Sequence, residues 1–303
     1  MLFLQDAETR LGLPVWLALC CQQMSQKRQA GLRSTNPEDY QHVPRAVAAM
    51  PKDFPDGFEI SPHRHRRAQL IYATAGTMRI STEEAVWVVP PQRALWMPPG
   101  IHHSIVMSGD VTMRTLYLRQ DAAAGMPDVC RVLHISPLLR ELIVRATEMP
   151  VDYDERGAAG HIVALILDEL HRGPSLPLHL PMPRDKRLHR LCAALLAQPG
   201  DQRTLEEWAG WANASPRTLA RLFMTETGLT FGAWRQQARV LEAMGRLGGG
   251  QAVTEVALEL GYDSVSAFSA MFRRASGASP SAYRPSRQDP PGRAGFSRAF
   301  ANG

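Results

Sequence analysis

The sequence predicts an α+β chain of two domains, a front β-barrel with helices behind it and an all-α rear domain carrying two helix-turn-helix motifs. Three observations predict it. Between about Phe58 and Leu118, short apolar runs alternate with Gly, Pro and Asp turns, the pattern of a sandwich or barrel. After Pro127 apolar residues recur every three or four positions, which is helical spacing. Finally, a skeleton repeats at a distance of 49 residues, so that Ser215 answers to Ser264, Phe223 to Phe272, Gly228 to Gly277 and Arg235 to Arg284.

The 303 residues leave room for two domains of ordinary size. With 45% hydrophobic and 21% charged residues, the composition is that of a soluble globular protein. The longest apolar run, Leu11 to Cys21, is shorter than the roughly 20 residues needed to span a bilayer. Asp6 and Glu8 precede it and no small-residue cleavage site follows, which argues against a signal peptide. Residues 1–45 are therefore expected to be a poorly defined extension, with an over-long gene start as one source, and no membrane association is expected. Cys20, Cys21, Cys130 and Cys192 form no CxxC and no zinc-finger spacing, so reduced thiols and a cytoplasmic location are expected.

Charge is unevenly placed. The chain has 34 Lys+Arg and 29 Asp+Glu; from Arg184 onward the counts are 16 and 10, leaving 18 and 19 before it. A basic module beside a neutral one suggests a polyanionic partner for the basic part.

In chain order, residues 46–125 form the predicted barrel. Its runs are Gln69–Tyr72, Thr77–Ile80, Ala85–Val89, Ala94–Met97, Ser104–Met107 and Thr112–Leu118, separated by Gly76, Pro90-Pro91, Pro98-Pro99-Gly100 and Gly109-Asp110. Residues 126–172 are a helical connector and dimerisation region, with helices expected over Ser136–Glu148 and Gly157–His171. Four prolines in GPSLPLHLPMPRD (173–185) cannot continue a helix, and a stiff linker is expected. Residues 186–285 are all helical, and the tail 286–303 is expected to be disordered.

Within the rear domain Thr204 and Glu207 form a capping box. Ser215-Pro216 reads as an N-cap with proline at the first helical position, and Gly228 and Gly277 as stops. A short helix, a tight turn and a second helix then occur twice, at 204–227 and 253–276, as in a helix-turn-helix. Leu205, Trp208, Ala209, Leu219, Leu222 and Phe223 form the inner face of the first copy. Val253, Val256, Ala257, Phe268, Met271 and Phe272 form that of the second. The outer faces hold Arg217, Thr218 and Arg221, and Val265, Ser266, Ser269 and Arg273, free to enter a groove. A helix of about 16 residues (232–247) separates the copies by about 24 Å.

The stretches LARLFMTETGLTFGAWR, VTEVALELGYDSVSAFSAMFRRASG and ASPSAYR resemble the AraC/XylS family DNA-binding domain over residues 187–285. The resemblance implies promoter DNA as partner, transcription regulation with RNA polymerase, and the two second helices in successive major grooves. It implies base contacts from Arg217, Ala220 and Arg221, and from Val265, Ser266, Ser269 and Ala270, with Ser215, Thr218 and Arg273 at the same surface. Val265 and Ala270 lack hydrogen-bonding groups, so Arg217 and Arg221 are expected to carry most of the specificity.

In the front domain, HRHRRAQ (63–69) and PPGIHH (98–103) form a second constellation. On a regular strand His63, His65 and Gln69 would point together, and the turn at Pro99-Gly100 could bring His103 to them. The spacing resembles the cupin motifs, which implies a small jelly-roll barrel whose interior holds a small-molecule effector, a divalent metal, or both. Gln69 stands where cupin enzymes have a carboxylate, and a neutral amide is the weaker ligand. Trp87, Trp96, Met97 and Tyr72 are candidates to line the cavity. The leading reading is an effector-responsive, homodimeric regulator and not an enzyme, with no certain cofactor. The alternative is a metal-dependent cupin enzyme fused to a DNA-binding module.

Overall fold

A computed structural model describes residues 33–173, 175–176 and 179–284. The expected extension through residue 32 and the expected disordered tail from 286 lie outside the described residues. The rest of the extension is not loose. Residues Pro37–Tyr40 form a 3-10 turn, and Tyr40 is buried against Tyr117 with ring centroids 6.0 Å apart. The Gln41 side-chain oxygen accepts from the backbone N–H groups of Arg66 and Arg67, each at 3.1 Å. Buried aromatic surface and paired amides, invisible to composition, order this segment.

Strands β1 (Val47–Phe54), β2 (Glu59–His63), β3 (Ala68–Tyr72), β4 (Thr77–Ser81) and β5 (Ala85–Val89) are followed by β6 (Arg93–Met97), β7 (His103–Ser108) and β8 (Val111–Leu118). Strands β9 (Arg131–His134), β10 (Ser175–Leu176) and β11 (His179–Pro181) complete two antiparallel sheets. One sheet has the order β1-β8-β3-β6-β9-β10, the other β11-β5-β4-β7-β2. Between them lies an apolar core of Ile71, Met78, Ile80, Trp87, Leu95 and Ile105, among others. Alternation along each strand sends the next residues to the outer faces. Leu70, Tyr72 and Trp96 thus face helices α1 (Pro137–Glu148) and α2 (Ala158–Arg172), which cover the six-stranded sheet. Of the aromatic candidates for the cavity, Tyr72 and Trp96 therefore point away from it.

Two boundaries differ from the expectation. The helical region from residue 126 begins with a strand, β9, paired to β6. The stretch 173–185 is not a free linker, because β10 pairs with β9 and β11 with β5, so it ties both sheets together. Its prolines allow this because β11 is an edge strand, where one missing N–H costs no ladder bond; Leu180, between them, is fully buried.

The rear domain has helices α3 (Lys186–Ala197), α4 (Leu205–Trp211), α5 (Pro216–Leu222), α6 (Phe231–Gly248), α7 (Val253–Glu259) and α8 (Val265–Ser276). Asp185 caps α3, the Thr204–Glu207 capping box opens α4, and Ser215 and Ser264 cap α5 and α8. The second helix of the first copy is not uniform: after Leu222 it continues as a π-turn over Phe223–Thr227. Thr225 and Thr227 hydroxyls donate to the Arg221 and Phe223 carbonyls at 3.0 and 2.6 Å, competing with the helical ladder. Gly228 and Gly277 end the two copies at φ +72° and +79°, where only glycine is unstrained.

Helix α6 joins the domains. Val86 and Val88, on the outer face of β5, belong to the rear domain's core with Leu180 and Met182. A Cβ on Gly248 would overlap the Thr77 hydroxyl on β4. The Trp234 indole donates to Pro181 O at 2.8 Å. Gly248→Ala should therefore cost about 1–3 kcal/mol by overpacking. Adding Thr77→Ala should recover part of that loss in urea unfolding; additive losses would show that the contact does not form.

Candidate functional site

The inner-face residues of both motifs lie in one core: Trp208, Ala209, Leu219, Leu222 and Phe223 with Val256, Ala257, Phe268, Met271 and Phe272 buried, and Leu205 and Val253 packed against them. With those faces committed, the opposite faces of α5 and α8 are left to solvent. Arg217, Ala220 and Arg221 are exposed on α5, and Val265, Ser266, Ala270 and Arg273 on α8; Ser269 and Thr218 are half-buried. Ser215 is exposed, but its oxygen accepts from Thr218 N at 3.1 Å and pairs with the Thr218 hydroxyl at 2.9 Å, so both side chains are engaged in the cap. The cross-domain helix supports this face through Arg239, buried, whose guanidinium donates to Pro199 O and Asp201 O at 2.8 and 2.9 Å. No helix among the described residues is long and apolar enough to cross a membrane.

The second site lies between the sheets. The condition of one regular strand is not met, since β2 ends at His63 and β3 starts at Ala68. The intervening turn nevertheless carries His65 inward, and Gly100 N donates to His65 O at 2.8 Å, so the Pro-Pro-Gly turn is fastened directly to it. Ligand atoms of His63, His65 and His103 lie within 4.8 Å of one another. His103 enters on β7 on the same face as Ile105 and Met107, opposite His63 in the β2–β7 register. Gln69 and Tyr117 are cross-strand partners on that side of the six-stranded sheet. His63, His65, Gln69 and Tyr117 line a cavity of about 270 Å³ with Phe54 and Met113.

The hydrogen-bond pattern defines what this site offers. His63 Nδ1 and His103 Nδ1 sit 2.8 and 3.0 Å from the Ser61 and Ile101 carbonyls. Facing a carbonyl, each Nδ1 is the donor, and in the neutral ring Nε2 is then the lone pair. His103 Nε2, both nitrogens of His65 and Gln69 Oε1 are buried without a partner among the described residues. Unsatisfied polar atoms are costly in a core, so four at one point mark a place for a hydrogen-bonding ligand or an ion. A carbonyl-oriented imidazole is how metal-binding histidines are commonly held.

Burial lowers the His65 pKa to about 3, helped by neighbouring His63 and His103, and lowers His103 to about 4. Below pH 6.5 the unfolded chain takes up protons that the folded chain refuses. Metal-free protein should lose stability as pH falls from 6.5 towards 4, by at most about 1.4 kcal/mol per pH unit for each histidine. His65→Gln should flatten that slope relative to wild type in urea unfolding at each pH; identical slopes would refute the assignment.

Comparison with known proteins places the chain in a family. A family profile described as "AraC-like ligand binding domain" matches residues 54–207, and one described as "Helix-turn-helix domain" matches 208–286. The chain is 35% identical over 246 residues to the HTH-type transcriptional regulator NimR of Escherichia coli K12, covering 81% of this chain and 90% of that one. It is 28% identical over 126 residues to the HTH-type transcriptional activator RhaR of the same organism, covering 41% and 44%. Among solved structures, ToxT of Vibrio cholerae bound to an unsaturated fatty acid aligns over 83% of this chain and 96% of its own at 11% identity, with a TM-score of 0.34. The relatives are regulators, which sets aside the alternative of a cupin enzyme with an appended module. The chain belongs to the AraC family of DNA-binding transcription regulators that carry a ligand-binding domain.

Proposed function

We propose that the two second helices, α5 and α8, enter successive major grooves of promoter DNA, with Arg217 and Arg221 reading bases. The observation that carries this reading is that Arg217, Arg221 and Arg273 are exposed on the outer faces of helices whose inner faces are wholly committed to the core. The 18 residues of α6 make a spacer about 27 Å long at ~1.5 Å per residue, compatible with grooves ~34 Å apart. Val265, 37% exposed, suits a thymine methyl. Ser215 and Thr218, engaged in the cap, fit phosphate contacts better than base readout.

In the front domain the His63, His65, Gln69 and His103 set is proposed as the effector site. A polar effector could satisfy the four unpartnered atoms directly. A divalent ion favouring nitrogen ligands would take one lone pair from each histidine, with the Gln69 amide oxygen as a weaker ligand. Effector binding would favour one arrangement of the two domains and change DNA affinity or contact with RNA polymerase. Pairing of two chains, suggested by apolar residues Leu138 and Leu165 exposed on α1 and α2, would place two such units on one operator.

Genomic-fragment selection at ~150 mM salt followed by footprinting tests the DNA reading. A protected segment covering two adjacent major grooves is expected, and binding without sequence preference that falls steeply with salt would remove it. Arg221→Ala should erase discrimination at one base position, a loss of about 1–3 kcal/mol against the wrong base. An unchanged binding motif for that variant would reject the assignment. Metal titration of wild type and His65→Ala separates the two effector-site chemistries: uptake lost in the variant identifies an ion site, and no uptake by wild type leaves the direct polar effector.

A further inference from the structure

We propose that a separate cleft bounded by β5, β9 and β11 is a second ligand site of the front domain, shaped for a small aromatic or alkyl ammonium cation. Its volume is about 770 Å³, inside the ~300–1,000 Å³ usual for small-molecule sites. It is not the histidine cavity. The sheet orders put β5, β9 and β11 at one end of the sandwich and β1, β2 and β8 at the other. His102 lines the cleft while the next residue, His103, belongs to the histidine cluster, so the 98–102 turn is the wall between them.

The chemistry of the lining selects the ligand. Trp87, Ile101 and Val132 give an apolar floor, and Val129 stands at the cleft 53% exposed, a large apolar residue left to water. Glu83, Glu84 and Asp128 supply the charge at the rim. Arg131 also borders the cleft, but alternation along β9 places its side chain with Leu133, on the helix-covered side of the sheet from Val132. Arg184 lies 3.3 Å from Glu84, yet their side chains are 89% and 80% exposed, and such a pair holds weakly. The remaining titratable lining groups are His102, His179 and Cys130. Burial lowers the His179 pKa, favouring its neutral form. Burial, and then the charge of Glu84, push the Cys130 thiol up to about 11. An apolar floor under an anionic rim complements a cation on an apolar body.

The cleft's wall is also a contact of the DNA-binding domain. His179 O accepts from the Gln237 side chain and Pro181 O from the Trp234 indole, both donors on α6. A ligand pressed against β11 therefore bears on the helix between the two motifs. This coupling, unlike the binding itself, rests on the regulator reading above.

The test uses full-length protein and three matched probes in titration calorimetry: naphthylmethylammonium, neutral naphthylmethanol and anionic naphthoate. The cation is expected to bind about tenfold or more tightly than the other two, each tenfold being about 1.4 kcal/mol. Glu83→Gln/Glu84→Gln should remove most of that preference, and Val129→Arg, at an exposed position, should abolish cation binding without unfolding the domain. Equal binding of the three probes, no binding of the cation, or an unchanged preference in the double variant would overturn the site. His65→Ala should leave the cation's affinity unaltered, and a parallel loss would merge the two cavities into one. Operator affinity measured with and without the cation reads the coupling separately: a change supports the route through β11, and binding without any change overturns that route alone.

Discussion

Helix α6 has to satisfy two partners at once, and the rest of the molecule is arranged around that demand. Trp234, Ala238, Val240, Leu241, Ala243, Met244 and Leu247 are buried, so apolar contact surrounds much of its circumference. A helix buried on most sides is stable only inside a larger core. One side gathers α3, α7 and α8 into the DNA-binding domain; another lies on β4, β5 and β7. The pairing explains the glycine near its end: Gly248 lets the backbone approach Thr77, where a larger side chain would hold it away. The barrel is thus a part of the surface on which the spacing of the two motifs is set.

Two buried arginines do a related job at the margins. Arg67 gathers the carbonyls of Gln41, Val43 and Arg45, and Arg239 those of Pro199 and Asp201. A guanidinium offers five donors in a rigid fork, which suits irregular chain whose carbonyls have no ladder to join. Each arginine therefore orders a loop that has too little apolar surface to order itself, one beneath the histidine site and one beneath the first motif. Neither touches a functional face, and truncating either would leave several buried carbonyls unpaired.

Legibility in the sequence followed the range of the interactions concerned. The caps at Thr204 and Ser215 and the stops at Gly228 and Gly277 are local chemistry, and they were readable directly. The runs from Gln69 to Leu118 were readable because they are short, apolar and bounded by Gly, Pro and Asp turns. β1 and β2 were not, since Pro51, Lys52 and Asp53 interrupt the first and β2 is largely exposed. Strands β9 to β11 are short and hold only by pairing with residues far along the chain, so a proline-rich stretch looked like a linker. His63, His65, Gln69 and His103 could be grouped from motif spacing, although the strand geometry assumed for them is replaced by a turn. The cleft at Trp87 had no local signal: its floor and rim come from four separate segments.

A visible ionic chain also crosses the domain boundary. Arg79 on β4 lies 3.6 Å from Glu242, Glu242 accepts from Arg246 at 2.8 Å, and Arg246 reaches Glu259 on α7. It would be tempting to route a signal from barrel to second motif along it. The side chains are between 23% and 52% exposed, and such pairs contribute about 0–1 kcal/mol each and weaken with salt. Shifting a population decisively takes several kcal/mol of differential interaction. Close packing supplies that more readily, because a core resists displacement of even one methylene. The contacts able to couple the domains are therefore Trp234 on Pro181, Gly248 on Thr77, and Val86 and Val88 in the rear core, with the charges trimming an arrangement that the packing decides.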